Sequence, residues 1–213
     1  MIRELREADL EEVVPLHREA FRGALGPMLG ERYVRHFLRW FLAQPSAVCL
    51  VYDFAGEVAG YVFGAPDGYG AALNRDLLPT VALAALTHPH IVLHRHFAAK
   101  ARGRLLGAWR GMTRRASASA GAPAPAPAPG ATSSTRFSLT GIGVSPRHRK
   151  RKIGQQLLAA FEARVAARGF VTVCLDVYAD NHAARRLYES MGWQLCEDLG
   201  SVLVYDKQLG SAA

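Results

Sequence analysis

Apolar residues recur along this chain at two periods, one near 3.6 and one near 2, and their succession predicts the order of elements. Residues 2–6 read as a short strand. A helix follows, with Val13, Val14, Leu16, Ala20 and Phe21 at near-helical spacing. Asp9 is its expected N-cap, with Glu12 three residues later. Pro15 falls inside the pattern and predicts irregular first turns. Residues 26–30, Gly-Pro-Met-Leu-Gly, break the helix. A second helix over about 31–43 carries Tyr33, Phe37, Leu38, Trp40 and Phe41, with Pro45 just beyond its end. Two strands come next, 48–54 and 57–64, joined by Ala55-Gly56, which suits a tight hairpin turn.

Residues 65–116 are less regular. Turns occupy 65–70, and the clustering of Leu77, Leu78, Val81, Leu83 and Leu86 predicts two or three short helices within 73–87 and 90–112. Residues 117–134, SASAGAPAPAPAPGATSS, bury too little apolar surface to offset their ordering entropy and predict a mobile, partly polyproline-like linker. Regular pattern resumes with a strand over 137–144 and a helix over 153–167, lined by Ile153, Leu157, Leu158, Phe161 and Val165. A nearly continuous apolar strand over 170–178 reads as buried. A short helix over 181–191 ends at Gly192, and 193–199 and 201–205 form a last hairpin around Gly200. This order implies an α/β chain with a mixed sheet and helices packed on it. Its length suits one domain, 1–213, with an insertion at about 65–135.

Composition narrows the class. Half of the residues are apolar and 9% are aromatic, as in a globular protein. The start, MIRELREADLEEVV, is charged throughout and unlike a signal peptide, and no run of 18 apolar residues predicts a spanning helix. Cys49, Cys174 and Cys196 are odd in number, widely spaced and without a CxxC pair, so neither a disulfide framework nor a zinc site is expected. Cys49 and Cys174 lie in apolar runs and read as small core residues; a reducing cytoplasm is the expected compartment. His90 and His94, within the cluster His88, His90, His94 and His96, have the i, i+4 spacing of metal ligands. No acidic residue lies nearby and Pro89 interrupts a helix there, so a basic surface segment is expected and no metal.

The net charge of +8 is unevenly placed. Between Leu77 and Phe161 there is no Asp or Glu, yet 13 of the 26 basic residues fall there; the rest carries 13 basic against 18 acidic residues. The positive charge is local and points to an anionic ligand or partner for the middle of the chain.

Residues 142–158, IGVSPRHRKRKIGQQLL, hold the candidate chemistry. A strand ends at Val144, a basic turn follows, and a helix opens near Ile153. Unpaired N–H groups and the dipole of a first helical turn suit phosphate. Arg147, Arg149, Lys150, Arg151 and Lys152 add cationic side chains. By charge alone a solvated basic face or a nucleic-acid patch reads equally well.

The segment resembles the coenzyme A-binding motif of the GNAT superfamily of N-acetyltransferases, a strand ending in Val-x-Pro and then Arg/Gln-x-x-Gly-x-Gly/Ala opening a helix. Val144, Pro146, Arg149 and Gly154 match in order and spacing. The second half of the signature is met by Leu175, Val177, Asn181, Ala184, Leu187, Tyr188, Glu189, Gly192 and Trp193. The resemblance covers about 1–64 and 136–207 and leaves 65–135 unexplained. It implies a mostly antiparallel twisted sheet flanked by helices, with the insertion between the third and fourth strands. It also implies transfer of an acyl group from acetyl-coenzyme A to a primary amine. The implied coenzyme contacts are Ile142, Gly143, Val144, Arg149, Lys150, Arg151, Lys152, Ile153, Gly154, Gln155 and Asn181, and the implied general acid is Tyr188. Gly141 and Gly143 are expected to leave room for a close ligand. Lys152 departs from the pattern, standing where the motif has its first glycine. A left-handed lysine costs about 1–2 kcal/mol, and it either adds a contact to the pyrophosphate or blocks it.

No acidic residue lies on strand 137–144, so the general base is open, with Asp176, Tyr178 and a water chain as candidates. A second function stays beside the first. It is a catalytically degenerate binding module whose segment 94–115, basic with interleaved Leu93, Phe97, Leu105, Leu106 and Trp109, engages an anionic membrane surface, carrier protein or nucleic acid.

Overall fold

The computed structural model describes residues 1–87 and 136–210. The expected helices over 90–112, the segment 94–115, the histidines at 88–96 and the linker at 117–134 lie outside the described residues. Seven strands form one sheet: β1 (Ile2–Glu4), β2 (Val48–Phe54), β3 (Glu57–Pro66), β4 (Arg136–Val144), β5 (Thr172–Tyr178), β6 (Gln194–Asp198) and β7 (Val202–Gln208). Their spatial order is β1-β2-β3-β4-β5-β7-β6. Every neighbouring pair is antiparallel except β4 and β5. The expected mixed sheet, mostly antiparallel and interrupted between the third and fourth strands, is the one observed.

The local signals explain most boundaries. Ala55 and Gly56 both have positive φ, 55° and 87°, as a two-residue turn of the right-twisting kind requires. The Asp53 carboxylate accepts the Gly56 N–H at 3.0 Å and closes that turn. α1 (Leu10–Ala20) runs through Pro15 without ending, because Pro15 and Glu11, whose carbonyl loses its donor, both face water. The expected cap of α1 is different. Asp9 ends a 3-10 turn over Glu7–Asp9, and its carboxylate turns away from the helix to accept from both terminal nitrogens of Arg3 and from the Arg6 N–H. Glu12 reaches across to the Val58 N–H at 3.0 Å. One short turn of helix, α2 (Leu25–Met28), overlaps the break at 26–30 before α3 (Glu31–Leu42). One helix, α4 (Gly70–Thr87), replaces the expected short helices of 73–87. It is pinned to α3 by Trp40 Nε1 donating to Asp76 at 2.8 Å and by a His36–Thr80 contact of 2.6 Å.

Two apolar layers cover the sheet. α1, α3 and α4 pack on one face around Val51, Tyr61, Phe63 and Phe41. α5 (Ile153–Ala166) and α6 (His182–Ser190) share the other with Leu139, Leu157, Phe161, Val173 and Leu175. Strand alternation sends neighbouring β3 residues to opposite layers, as with Val62 and Phe63.

Candidate active site

β4 is paired unequally on its two edges. Toward β3 the register runs from Phe137 to Val144, with an irregularity at Thr140. Toward β5 it holds only for Arg136, Phe137 and Ser138, opposite Thr172, Val173 and Cys174. Beyond that point the strands splay, although β5 continues to Tyr178 against β7. Ser145 N–H donates to the Ala59 carbonyl at 2.9 Å. By the alternation of a pleated strand, the Gly143 N–H also faces β3, while those of Ile142 and Val144 face the open edge. Backbone donors without a ladder partner need another one.

At the wide end of this cleft the chain makes a 3-10 turn, Pro146–His148, and enters α5. Lys150 and Lys152 both have left-handed backbones, with φ of 61° and 59°. Lys152 is the residue preceding α5 and makes no side-chain cap, so the first-turn N–H groups of Ile153, Gly154 and Gln155 remain available to an anion. The lysine therefore takes the conformation that a glycine would supply. Arg149, Lys150, Arg151 and Lys152 are all exposed around this turn. The Arg149 Nε lies 3.5 Å from the Val144 carbonyl, and the Arg151 guanidinium lies 5.3 Å from the Phe54 ring centroid. Gly154 faces α6 and β4: a Cβ there would stand 3.4 Å from Leu187 and 3.8 Å from Val144. A methyl fits and a large side chain does not.

Tyr188 projects from α6 and is buried between the rings of Trp193 and Tyr205, at 5.8 and 6.3 Å. Burial pushes its phenol above the ordinary value, so it stays protonated and able to donate. Asn181 caps α6, its side-chain oxygen accepting the Ala184 N–H at 3.2 Å. Asp176 is exposed while Leu175 and Val177 are buried, as strand alternation predicts. It lies on β5 past the last β4 partner, close enough to Tyr69 to disfavour ionisation of that phenol, though burial is the larger cause. Tyr178, next on that face, is 46% exposed.

One expectation is overturned. The space in front of Gly141 and Gly143 is not free for a ligand. A Cβ at Gly141 would stand 2.8 Å from the Phe63 ring, and one at Gly143 would stand 2.7 Å from the Tyr61 ring. These glycines admit aromatic rings from the neighbouring strand.

Three polar residues escaped the sequence reading. Tyr61 is fully buried behind Gly143, and its hydroxyl pairs with His17 Nδ1 at 2.8 Å. Burial lowers the His17 pKa to about 4, so the ring is neutral near pH 7. Burial pushes the Tyr61 phenol well above the ordinary value, and the nearby Tyr188 adds to this. His148 lies buried under the basic turn with neither ring nitrogen hydrogen-bonded; its Nε2 is 3.7 Å from Glu57 and its ring 5.1 Å from Phe54. The signal for His17 was a polar residue inside an apolar helical stripe; Tyr61 and His148 carried none.

Among the described residues no group of three or more His, Cys, Asp or Glu is placed to hold a metal, and no helix is long and apolar enough to cross a membrane. Burial raises the Cys49 thiol to about 12, which leaves it unreactive.

A model of the acetyltransferase (GNAT) family matches residues 71–193, more than half of the chain. No curated protein matches the sequence. Solved structures with the same fold include the ribosomal-protein-S18-alanine N-acetyltransferase of Escherichia coli, at 13% identity and TM-score 0.57, covering 100% of this chain and 96% of that one. The ribosomal-protein-alanine N-acetyltransferase of Brucella melitensis is similar at 17% identity and TM-score 0.58, covering 98% and 99%. The PaiA N-acetyltransferase of Thermoplasma acidophilum, in complex with coenzyme A, is similar at 14% identity and TM-score 0.53, covering 98% of each chain.

Proposed function

This chain belongs to the acetyltransferase (GNAT) family, and from that premise we propose that it transfers an acetyl group from acetyl-coenzyme A directly to a primary amine. The splay of β4 from β5 carries the reading: a cleft lined by unpaired backbone groups ends at an uncapped helix N-terminus ringed by cations. The coenzyme A complex of the PaiA structure, on the same fold, supports it.

In this reading the N–H groups of Ile153, Gly154 and Gln155, with Arg149, Lys150, Arg151 and Lys152, hold the pyrophosphate. Ile142 and Val144 complete the coenzyme's amide groups and orient the thioester carbonyl, where their N–H groups stabilise developing negative charge; Gly143 lies between them. Asn181 borders the cleft from the start of α6. Tyr188 gives its proton to the departing thiolate. Asp176 is the base candidate best placed to receive the amine's proton, beside Tyr178 and water. Residues 1–213 act as one catalytic domain, with about 65–135 inserted into it. The three free thiols fit the cytoplasm. The amine acceptor is to be found by screening.

In the degenerate-site alternative Lys152 blocks the pyrophosphate and the basic segment 94–115 carries the function instead. Lys152 has the left-handed backbone that a glycine would supply and an exposed side chain, a geometry compatible with the enzyme reading. Isothermal titration with acetyl-coenzyme A tests the reading. Saturable binding by the wild type, abolished in Gly154→Trp, is expected. No binding by the wild type to acetyl- or longer acyl-coenzyme A overturns it.

A further inference from the structure

Glu162 is a buried carboxylate in α5 with no part in the chemistry above, and its two oxygens have different partners. Oε1 accepts from the Trp193 indole Nε1 at 2.7 Å, and Oε2 accepts from Lys207 Nζ at 2.6 Å. The same ammonium donates to the Met191 carbonyl at 2.7 Å, just past the end of α6. One carboxylate therefore ties together α5, the exit of α6 and β7. Stability alone does not explain such a pair, because well-packed apolar residues often serve a buried site as well or better.

What the pair holds is Tyr188. The backbone N–H of Trp193 donates to the Tyr188 carbonyl at 3.0 Å, and the indole forms one wall of the Tyr188 site. A second ring neighbour, Tyr205, is itself fixed by its hydroxyl donating to Glu189 at 2.7 Å. We infer that Glu162 and Lys207 are positioning residues, which hold Trp193 and the end of α6 so that the Tyr188 ring keeps one place beside the cleft. This rests on the role proposed for Tyr188. An indole anchored at its nitrogen cannot swing, so the phenol packed on it has a single rotamer. Freed, the indole lets the phenol sample several, and displacement of a reacting group by about 1 Å lowers turnover by as much as 100-fold.

The test is 19F NMR of protein labelled with 3-fluorotyrosine, the Tyr188 signal being assigned by its absence in Tyr188→Phe. The variant Glu162→Met/Lys207→Met removes both charges together and leaves no buried charge unpaired. Trp193→Phe removes the indole donor together with the ring that carries it, keeping an aromatic neighbour for Tyr188. Each is measured with and without saturating acetyl-coenzyme A. The paired variant is expected to bind acetyl-coenzyme A within twofold of wild type, while its Tyr188 signal broadens or splits and titrates at lower pH. Trp193→Phe is expected to do the same to a smaller degree, and it decides the matter if the paired variant does not fold. A sharp Tyr188 signal with wild-type titration in the folded variants overturns the inference. A wild-type Tyr188 signal that acetyl-coenzyme A leaves unmoved overturns the role given to Tyr188, while signal width and titration still report on the clamp.

Discussion

The two edges of β4 belong to the same nine residues and have opposite fates. The edge toward β3 is closed by the backbone ladder and packed tightly around it. Gly141 and Gly143 admit the rings of Phe63 and Tyr61, and Gly64 lets the β4 backbone approach so closely that a Cβ would stand 2.2 Å from the Ser138 carbonyl. The edge toward β5 closes for three residues and then opens. The closed edge is complete in itself. The open edge leaves the Ile142 and Val144 N–H groups without a β5 partner, and there the proposed coenzyme would bind. In that reading stability and chemistry are divided between two sides of one strand, and variants on either side should report separately.

The largest expected effect is on the open side. Tyr188→Phe should lower kcat for any accepted amine by about 100- to 10,000-fold, the usual range for a lost general acid. Its affinity for acetyl-coenzyme A and its urea midpoint should barely change. A variant that loses affinity instead would make Tyr188 part of the closed architecture.

On the closed side, Gly64→Ala sets a methyl group against backbone and should lower unfolding free energy by about 3 kcal/mol. Gly154→Ala, whose methyl group has room, should stay within about 1 kcal/mol of wild type. Urea unfolding of the pair measures the contrast, and equal losses would dissolve it.

His17 supports the closed edge through Tyr61, and its burial makes that support sensitive to pH. The unfolded chain takes up the His17 proton near pH 6.5, and the folded chain only near 4. The unfolded state therefore binds more protons between those values, and stability falls as pH drops through that window. The full loss is roughly 3 kcal/mol, and about 2 of it should be visible at pH 5. Urea unfolding at pH 7 and 5 should show this slope in wild type and a shallower one in His17→Leu.

Lys152→Gly should have the smallest effect. It relieves a left-handed lysine but adds unfolded-state freedom, for a net change of about 1 kcal/mol or less. Titration with acetyl-coenzyme A then shows how much of the affinity the lysine's charge supplies.

Much of this division was legible and some was not. The Ala55-Gly56 turn is found where expected, and the Asn181 cap and the exposed placement of Asp176 likewise follow from chemistry within a few residues. Asp9 looked like a cap by the same logic. It was taken by Arg3, whose guanidinium offers a carboxylate two donors where the helix offers it single N–H groups. Glycines in a strand signal close approach; for Gly141 and Gly143 the approaching groups are rings of β3.

By itself the sequence determined the alternation of strands and helices, the hairpin turn, and a basic loop leading into a helix. Such features depend on backbone preference and charge within a turn or two. Tertiary structure decided where β4 leaves β5, that His17 meets Tyr61 across 44 residues, and that Glu162 reaches Trp193 across 31. Those contacts depend on strand register and helix docking, which the packing of the whole core selects.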